Sequence, residues 1–251
     1  MIETILANMI PISLDEMKNI RLMDRVDSKY VASVAMLPEL LQRMTPFFRV
    51  QEIEGERIAA YSTQYLDTPD LAMFVMHQNR KLNRQKIRIR SYVGSNLSFL
   101  EVKNKNNKGR TSKERVQTSL SHLTSINDLI DEKTFLSKHY NLDAELLAPS
   151  LENEFKRITL VNSNATERIT IDTDLVFRNY ITGKEITMDG LMVLELKQDG
   201  WKHSDFRDIL NELRIKKSSF SKYCMGTVFT NPNIKYNRFK RTCVKINKLI
   251  K

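Results

Sequence analysis

Lys86-Ile-Arg-Ile-Arg90 is the stretch that decides the fold. Side chains of an extended strand alternate between two faces, so Lys86, Arg88 and Arg90 share one side and Ile87 and Ile89 the other. An ordinary half-buried strand mixes small and charged residues on its wet side. Here every position on that side is cationic. The pattern recurs along the chain. Phe99-Leu-Glu-Val-Lys103 sets Glu101 and Lys103 opposite Leu100 and Val102, and Val193-Leu-Glu-Leu-Lys197 sets Glu195 and Lys197 opposite Leu194 and Leu196. Arg168-Ile-Thr-Ile-Asp-Thr-Asp174 groups Arg168, Thr170, Asp172 and Asp174 in front of Ile169 and Ile171. Arg25-Val-Asp-Ser-Lys29, Lys113 with Arg115, and Arg157-Ile-Thr-Leu-Val161 follow the same rule, and Ala60 to Leu66 supplies an eighth strand.

Apolar strand faces need cover, and amphipathic helices provide it. Ser13-Leu-Asp-Glu16 reads as a capping box that opens a helix. Leu40, Leu41 and Met44 follow Pro38 at helical spacing. A third helix is predicted after Asp67-Thr68-Pro69-Asp70, with Pro69 in its first turn. Two more are predicted over 125–140 and 204–213. Neither an internal repeat nor a linker divides the sequence, which predicts a single domain over 1–251, its core over 20–230 and a basic tail over 231–251. The expected fold class is α+β, an eight-stranded antiparallel β-barrel with helices outside and its charged faces turned inward around a tunnel. Those faces hold eleven cations, Arg25, Lys29, Lys86, Arg88, Arg90, Lys103, Lys113, Arg115, Arg157, Arg168 and Lys197. They hold five acids, Asp27, Glu101, Asp172, Asp174 and Glu195. Crowded like charges repel unless anions fill the space, so the expected ligand has many phosphates in a row.

Composition agrees. The 251 residues carry 40 Lys and Arg against 30 Asp and Glu, a formal net charge of +10. Seven of those cations and no acid fall in 231–251, which leaves +3 for 1–230. Such a tail reads as a solvated helix or arm that could also meet a polyanion or a membrane surface. Cys224 and Cys243 cannot build a disulfide framework and lack zinc-site spacing. The opening MIETILANMIPIS has no basic region and is broken by Pro11, unlike a signal peptide. No apolar run nears the ~20 residues of a membrane helix, so a cytoplasmic protein is expected. Nucleic acid is not an expected partner: single-strand binders interleave aromatics with cations, whereas Ile, Leu and Val stand between the cations here and Trp201 is assigned to a turn. His77, His122, His139 and His203 fall in loop or helix contexts, away from the charged faces, and read as non-catalytic.

The acids are a second clue. Carboxylates among phosphate-binding cations weaken anion binding unless they hold a divalent metal. Mg²⁺ and Mn²⁺ take one or two carboxylates, with phosphate oxygens and water completing the shell. Glu195 is the first candidate ligand, with Glu101 and Asp172 next. The alternative is that Glu101 and Glu195 merely neutralise Lys103 and Lys197.

Eight segments carry a family resemblance. They are Arg25-Val-Asp-Ser-Lys-Tyr30, Tyr65-Leu-Asp-Thr68, Lys86-Ile-Arg-Ile-Arg90, Phe99-Leu-Glu-Val-Lys103, Ser112-Lys-Glu-Arg115, Arg168-Ile-Thr-Ile-Asp172, Val193-Leu-Glu-Leu-Lys197 and Phe220-Ser-Lys-Tyr223. In this order they resemble the catalytic domain of the vacuolar transporter chaperone (VTC) family of polyphosphate polymerases, of the triphosphate tunnel metalloenzyme superfamily. The resemblance runs from Arg25 to Gly226. It implies a tunnel in which ATP passes its γ-phosphate to a growing chain, with inorganic polyphosphate or pyrophosphate as further ligands and Mn²⁺ or Mg²⁺ as cofactor. Carried over by position, Lys29, Arg88, Arg90, Lys103, Lys113, Arg115, Arg157, Arg168, Lys197 and Lys222 are implied phosphate ligands. Arg88, Arg90 and Lys222 are implied to be catalytic, and Glu195 with Glu101 to bind metal. Two positions depart from the pattern. Arg25 and Asp27 stand where the superfamily has two glutamates, which fits the polymerase branch. Phe155 replaces an aromatic hydroxyl expected two residues before Arg157. The sequence shows neither the regulatory domain nor the membrane segments of the eukaryotic complexes, so export is expected to need a membrane-protein partner. Phosphoryl transfer asks for in-line positioning and positive charge, and a terminal phosphate is already an anionic nucleophile. A tunnel-type triphosphatase and a non-catalytic polyanion-binding module are the alternatives.

Overall fold

The computed structural model describes residues 1–18, 20, 25–140, 143–200 and 202–250. The turn expected at Trp201, the last tail residue Lys251 and the side chain of Arg25 lie outside this description. The chain opens with α1 (Ile2–Ala7), β1 (Pro11–Ile12), α2 (Leu14–Lys18), β2 (Arg25–Ser33), α3 (Leu37–Met44), β3 (Phe48–Gln51), β4 (Ala59–Asp67) and α4 (Ala72–Gln78). A meander of β5 (Arg84–Tyr92), β6 (Leu97–Lys105) and β7 (Thr111–Thr118) follows, then α5 (Lys133–His139). The last part comprises β8 (Ala148–Asn162), β9 (Glu167–Asn179), β10 (Glu185–Met188), β11 (Leu191–Asp199), α6 (Asp205–Glu212), α7 (Lys222–Thr230) and α8 (Lys240–Leu249).

The eight long strands form one antiparallel sheet in the order β2-β11-β9-β8-β4-β5-β6-β7, with β1, β3 and β10 at its margins. This is the expected α+β antiparallel architecture, with one correction. Among the described residues β2 and β7 do not pair, so the wall is strongly curved but not closed. The free edge of β2 is already taken: Tyr30 bridges Lys217, and Ser218 N donates to Lys29 O at 2.8 Å. Curvature still brings distant strands together, because Lys103 of β6 feels both Glu195 of β11 and Lys29 of β2.

Local pattern explains both faces of the wall. On the convex side Ile158, Leu160, Ile169, Ile171, Leu194 and Leu196 pack with Leu40 and Leu41 of α3 and Phe206 of α6. Ile87, Ile89, Leu100 and Val102 pack with Leu123, Leu129 and Leu136. Each such burial contributes about 1.5–3 kcal/mol. Glu16 N donates to Ser13 Oγ at 3.2 Å while Ser13 N donates to Glu16 Oε2 at 2.9 Å, the expected capping box. Ser204 caps α6 by accepting from Arg207 N.

Several sequence expectations need correction. The helix over 125–140 is broken: Asp128 turns back to accept from Ser125 N and Thr124 N, closing a 3-10 turn over Ile126–Asp128, and α5 starts only at Lys133. Pro69 precedes α4 rather than entering it. Leu71 takes a left-handed conformation at φ 57°, and the Asp67 carboxylate accepts from Met73 N and Phe74 N. Of the solvated helix or arm expected for the basic tail, the structure has the helix, but with one face buried. α8 buries Cys243 and Ile246 in the core that holds Phe74 and Tyr223, leaving Lys240, Arg241 and Lys248 exposed. Asp174 does not join the inner acids: the β8–β9 register shifts between Glu154 and Lys156, Asp174 turns to φ 52°, and it pairs outside with Lys156 at 3.1 Å. After the shift Leu175 and Phe177 face the apolar core packed around α7. α7 fills one end of the concave face so closely that a Cβ on Gly226 would collide with Phe177 and Leu151.

Candidate functional site

Strand register assembles the charged residues on the concave face. Glu195 lies opposite Lys29 on β2 and Thr170 on β9. Arg157 lies opposite Asp172, Arg88 opposite Glu101, Glu101 opposite Arg115, and Lys103 between Lys86 and Lys113. Three acid-centred clusters result. Arg157 holds Asp172 with two hydrogen bonds, Nε at 2.6 Å and Nη2 at 2.8 Å. Lys222, from the first turn of α7, brings Nζ within 2.8 Å of Asp172 Oδ2, but no aligned hydrogen bond forms. Glu101, 1% exposed, accepts from Arg88 Nε at 2.8 Å and from Lys113 Nζ at 2.5 Å. Lys29 Nζ donates to Glu195 Oε2 at 2.6 Å, while Lys197 stands 3.8 Å from Glu195 Oε1.

These acids do not satisfy all the cations. Arg90 is 9% exposed and donates to Thr63 Oγ1 at 3.3 Å. Burial and the neighbouring Arg88 and Arg157 bring its guanidinium down to about 10. Burial also pushes the Lys222 ammonium well below its ordinary value; Asp172 opposes that shift, and Arg157 and Arg90 add to it. A buried cation short of counter-charge is stabilised by an arriving anion. Lys103 is exposed at the open side of the concave face, yet the packed protein beneath it and the nearby Arg88, Lys29 and Lys86 hold its ammonium down to about 7. An anion beside Lys103 favours the charged form, so binding takes up a proton and strengthens as pH falls through that value. Sulfate affinity, measured by calorimetry at fixed ionic strength, should therefore rise several-fold from about pH 8 to about pH 6. Lys103→Met should flatten that rise. A parent whose affinity is the same at both pH values would remove Lys103 from the site.

The structure brings Lys29, Arg88, Arg90, Lys103, Lys113, Arg157, Lys197, Lys222, Glu101, Asp172 and Glu195 to the concave face. Two proposed ligands stand at its margins. Arg168 Nη2 donates to Met17 O at 3.2 Å, and Arg115 covers the Phe99 ring at 4.5 Å. The sequence reading missed Thr63 and Tyr61, which β4 presents beside Arg90 and Phe155. Their alternation was visible, but uncharged side chains gave no signal. Phe155 cannot donate a hydrogen bond, yet its ring carries Arg157 at 5.1 Å and lies beneath Lys222. Two of the resembling motifs also have structural duties. Ser221 caps α7 by accepting from Cys224 N, and Tyr223 donates to the buried Asp67. Two histidines of the sequence reading are tied up in the structure. Burial and nearby cations bring His77 down to about 3, and it contacts Cys224 Sγ at 3.0 Å. His122 meets Glu152 at 2.5 Å.

Among the described residues no three His, Cys, Asp or Glu side chains gather as a metal-binding group. A divalent ion bound through phosphate needs fewer. Glu195 fits that demand better than Glu101 or Asp172: its side chain is 18% exposed against 1% and 5%, and among the described residues Lys197 approaches one of its oxygens no closer than 3.8 Å.

No curated protein matches the sequence significantly. A solved structure of a candidate adenylate cyclase from Bacillus halodurans matches with 15% identity over 79% of this chain and 96% of its own, at a TM-score of 0.48. A candidate adenylyl cyclase from Hippeastrum with a dominant triphosphatase activity matches with 14% identity over 84% and 97%, at 0.49. The VTC domain family matches residues 24–231, from the first wall strand to the end of α7. The chain therefore belongs to the VTC-domain family.

Proposed function

We propose that the protein is a polyphosphate polymerase, which moves the ATP γ-phosphate onto the end of an inorganic polyphosphate chain held in the lumen. The observation that carries this reading is the surplus of enclosed cations. Arg157 and Lys222 share Asp172, Arg88 and Lys113 share Glu101, and among the described residues Arg90 has only the Thr63 hydroxyl as a hydrogen-bonding partner. Such a site is incomplete without a multiply charged anion. Arg88 and Arg90, two apart on one strand, can grip successive phosphates through their planar forks. Lys222 would neutralise charge that develops on the transferred group. The chain's terminal phosphate attacks unaided by a base, which suits a lumen walled by cations. Glu195 would hold Mn²⁺ or Mg²⁺, which when bound supplies charge neutralisation to the donor phosphates. The need for ATP puts the reaction, on this reading, in the cytoplasm. Among the described residues no helix is long and apolar enough to cross a membrane.

Incubation with ATP and Mn²⁺, followed by a polyphosphate gel, tests the reading. A ladder of phosphate polymers supports it. Orthophosphate without polymer would make the protein a triphosphatase, and no turnover at all a binding module. The surplus charge has a thermodynamic counterpart. Tripolyphosphate at a hundred times its dissociation constant should stabilise the fold by about 2.7 kcal/mol. Thermal unfolding at fixed ionic strength reads this directly, and Lys248→Ala on the outer face of α8 should not change it. An unaltered melting temperature would sink the anion-filled lumen.

A further inference from the structure

The inner row of β5 does not end at Lys86. Arg84 continues the alternation, so Arg84, Lys86, Arg88 and Arg90 share one face of the strand, a row about 20 Å long. Its two ends differ in chemistry. Near Arg90, Tyr61 stacks on Phe155 with ring centres 5.2 Å apart, and Tyr92 meets Phe99 edge-on at 6.0 Å. Near Arg84 lies a cavity of about 730 Å³ whose walls include Asn83, Arg84, Asn104, Lys105, Arg110 and Thr111. The four charged groups acting most strongly on nearby His77 are Lys86, Arg84, Arg238 and Lys105, all of them cations. Arg238 in turn feels Arg80 and Arg84. α7 fills the part of this end beneath β8 and β9, where Gly226 meets Leu151 and Phe177. The cations line the part formed by β5 and β6.

We propose that the rim formed by Arg84, Lys105, Arg110 and Arg238 is a second anion subsite, which holds the inorganic polyphosphate chain as it leaves the lumen. The proposal rests on the functional reading above and gives that lumen a direction. A chain of phosphates offers charge and no ring, which suits the cationic end. An adenine base needs a stacking face, and at the other end the half-buried Tyr92 and Phe99 rings supply it, Tyr61 and Phe155 being buried against each other. Arg84, Lys86 and Arg88 lie in line between the two, with Lys103 and Lys105 alongside on β6 and the Lys86 ammonium donating to the α7 cap, Ser221 Oγ, at 2.8 Å.

The test compares the parent with the triple variant Arg84→Gln, Lys105→Gln, Arg238→Gln. Calorimetry measures tripolyphosphate, long-chain polyphosphate and a non-hydrolysable ATP analogue. The variant should lose about tenfold in long-chain affinity, the sum of several partly exposed ion contacts. Its affinities for tripolyphosphate and the ATP analogue should match the parent's, because both ligands end inside the lumen. Unchanged long-chain affinity, or a loss for the ATP analogue instead, overturns the rim while leaving the lumen intact. A parent that binds no tripolyphosphate overturns the lumen reading, and the rim with it. If the triple variant fails to fold, the exposed single reversals Arg110→Glu and Arg238→Glu are read by the same criteria.

Discussion

Replacing Asp172 by Asn should destabilise the ligand-free protein by about 3–5 kcal/mol, the usual cost of leaving buried charge without its partner. The two groups that lose it are Arg157, bound bidentately, and Lys222, whose side chain is 9% exposed and lies over the Phe155 ring. Thermal unfolding should record a fall of roughly 6–20 °C. Tripolyphosphate should restore part of it, because the ligand supplies the missing negative charge. The pH dependence follows the same logic. Burial alone would raise the Asp172 carboxyl, but Arg157 and Lys222 overcome it and hold the group well below the usual carboxylate range. A depressed folded value contributes stability above the unfolded value of about 3.9 and loses it as pH falls further. The parent should therefore show an acid-side loss of stability that Asp172→Asn lacks. A melting temperature within about 2 °C of the parent's, with no response to tripolyphosphate, would mean that Asp172 is not the counter-charge of this cluster.

Replacing Glu195 by Gln separates metal binding from neutralisation. The change keeps volume and hydrogen-bonding capacity and removes one negative charge next to Lys29 and Lys197. Anion binding without metal should be retained or improved, since the lumen becomes more positive. Turnover should fall by about 10²–10³, the scale of losing one preorganised electrostatic contact. Calorimetry with sulfate and the polymer assay under saturating Mn²⁺ report the two properties separately. Asp208→Asn is the matched control, on α6 at the outer surface with 57% of its side chain exposed. Turnover within about threefold of the parent, under 1 kcal/mol of barrier, would reduce Glu195 to a partner of Lys29.

What the sequence by itself determined is whatever depends on alternation and short-range spacing. Ile87 and Ile89 had to oppose Arg88 and Arg90 because successive Cβ atoms point to opposite faces, and the Ser13 to Glu16 box had to open a helix because both partners lie within one turn. Most of the candidate lumen was legible for that reason, since its cations and acids sit on strands. Tertiary structure decided everything that depends on a remote partner. The strict alternation through Asp174 failed because β9 slips against β8, a strand whose pairing the local pattern does not encode. Closure of the barrel failed because residues 217–218 occupy the edge of β2 that β7 would have needed. Arg88 and Arg90 look alike in sequence, yet one received Glu101 and the other Thr63, because β6 and β4 differ at the facing positions. The tail shows the same division. Its charge was plain to count, but burial of Cys243 and Ile246 required the apolar end of the curved sheet to exist first, and a surface formed by distant strands leaves no trace in the segment that covers it.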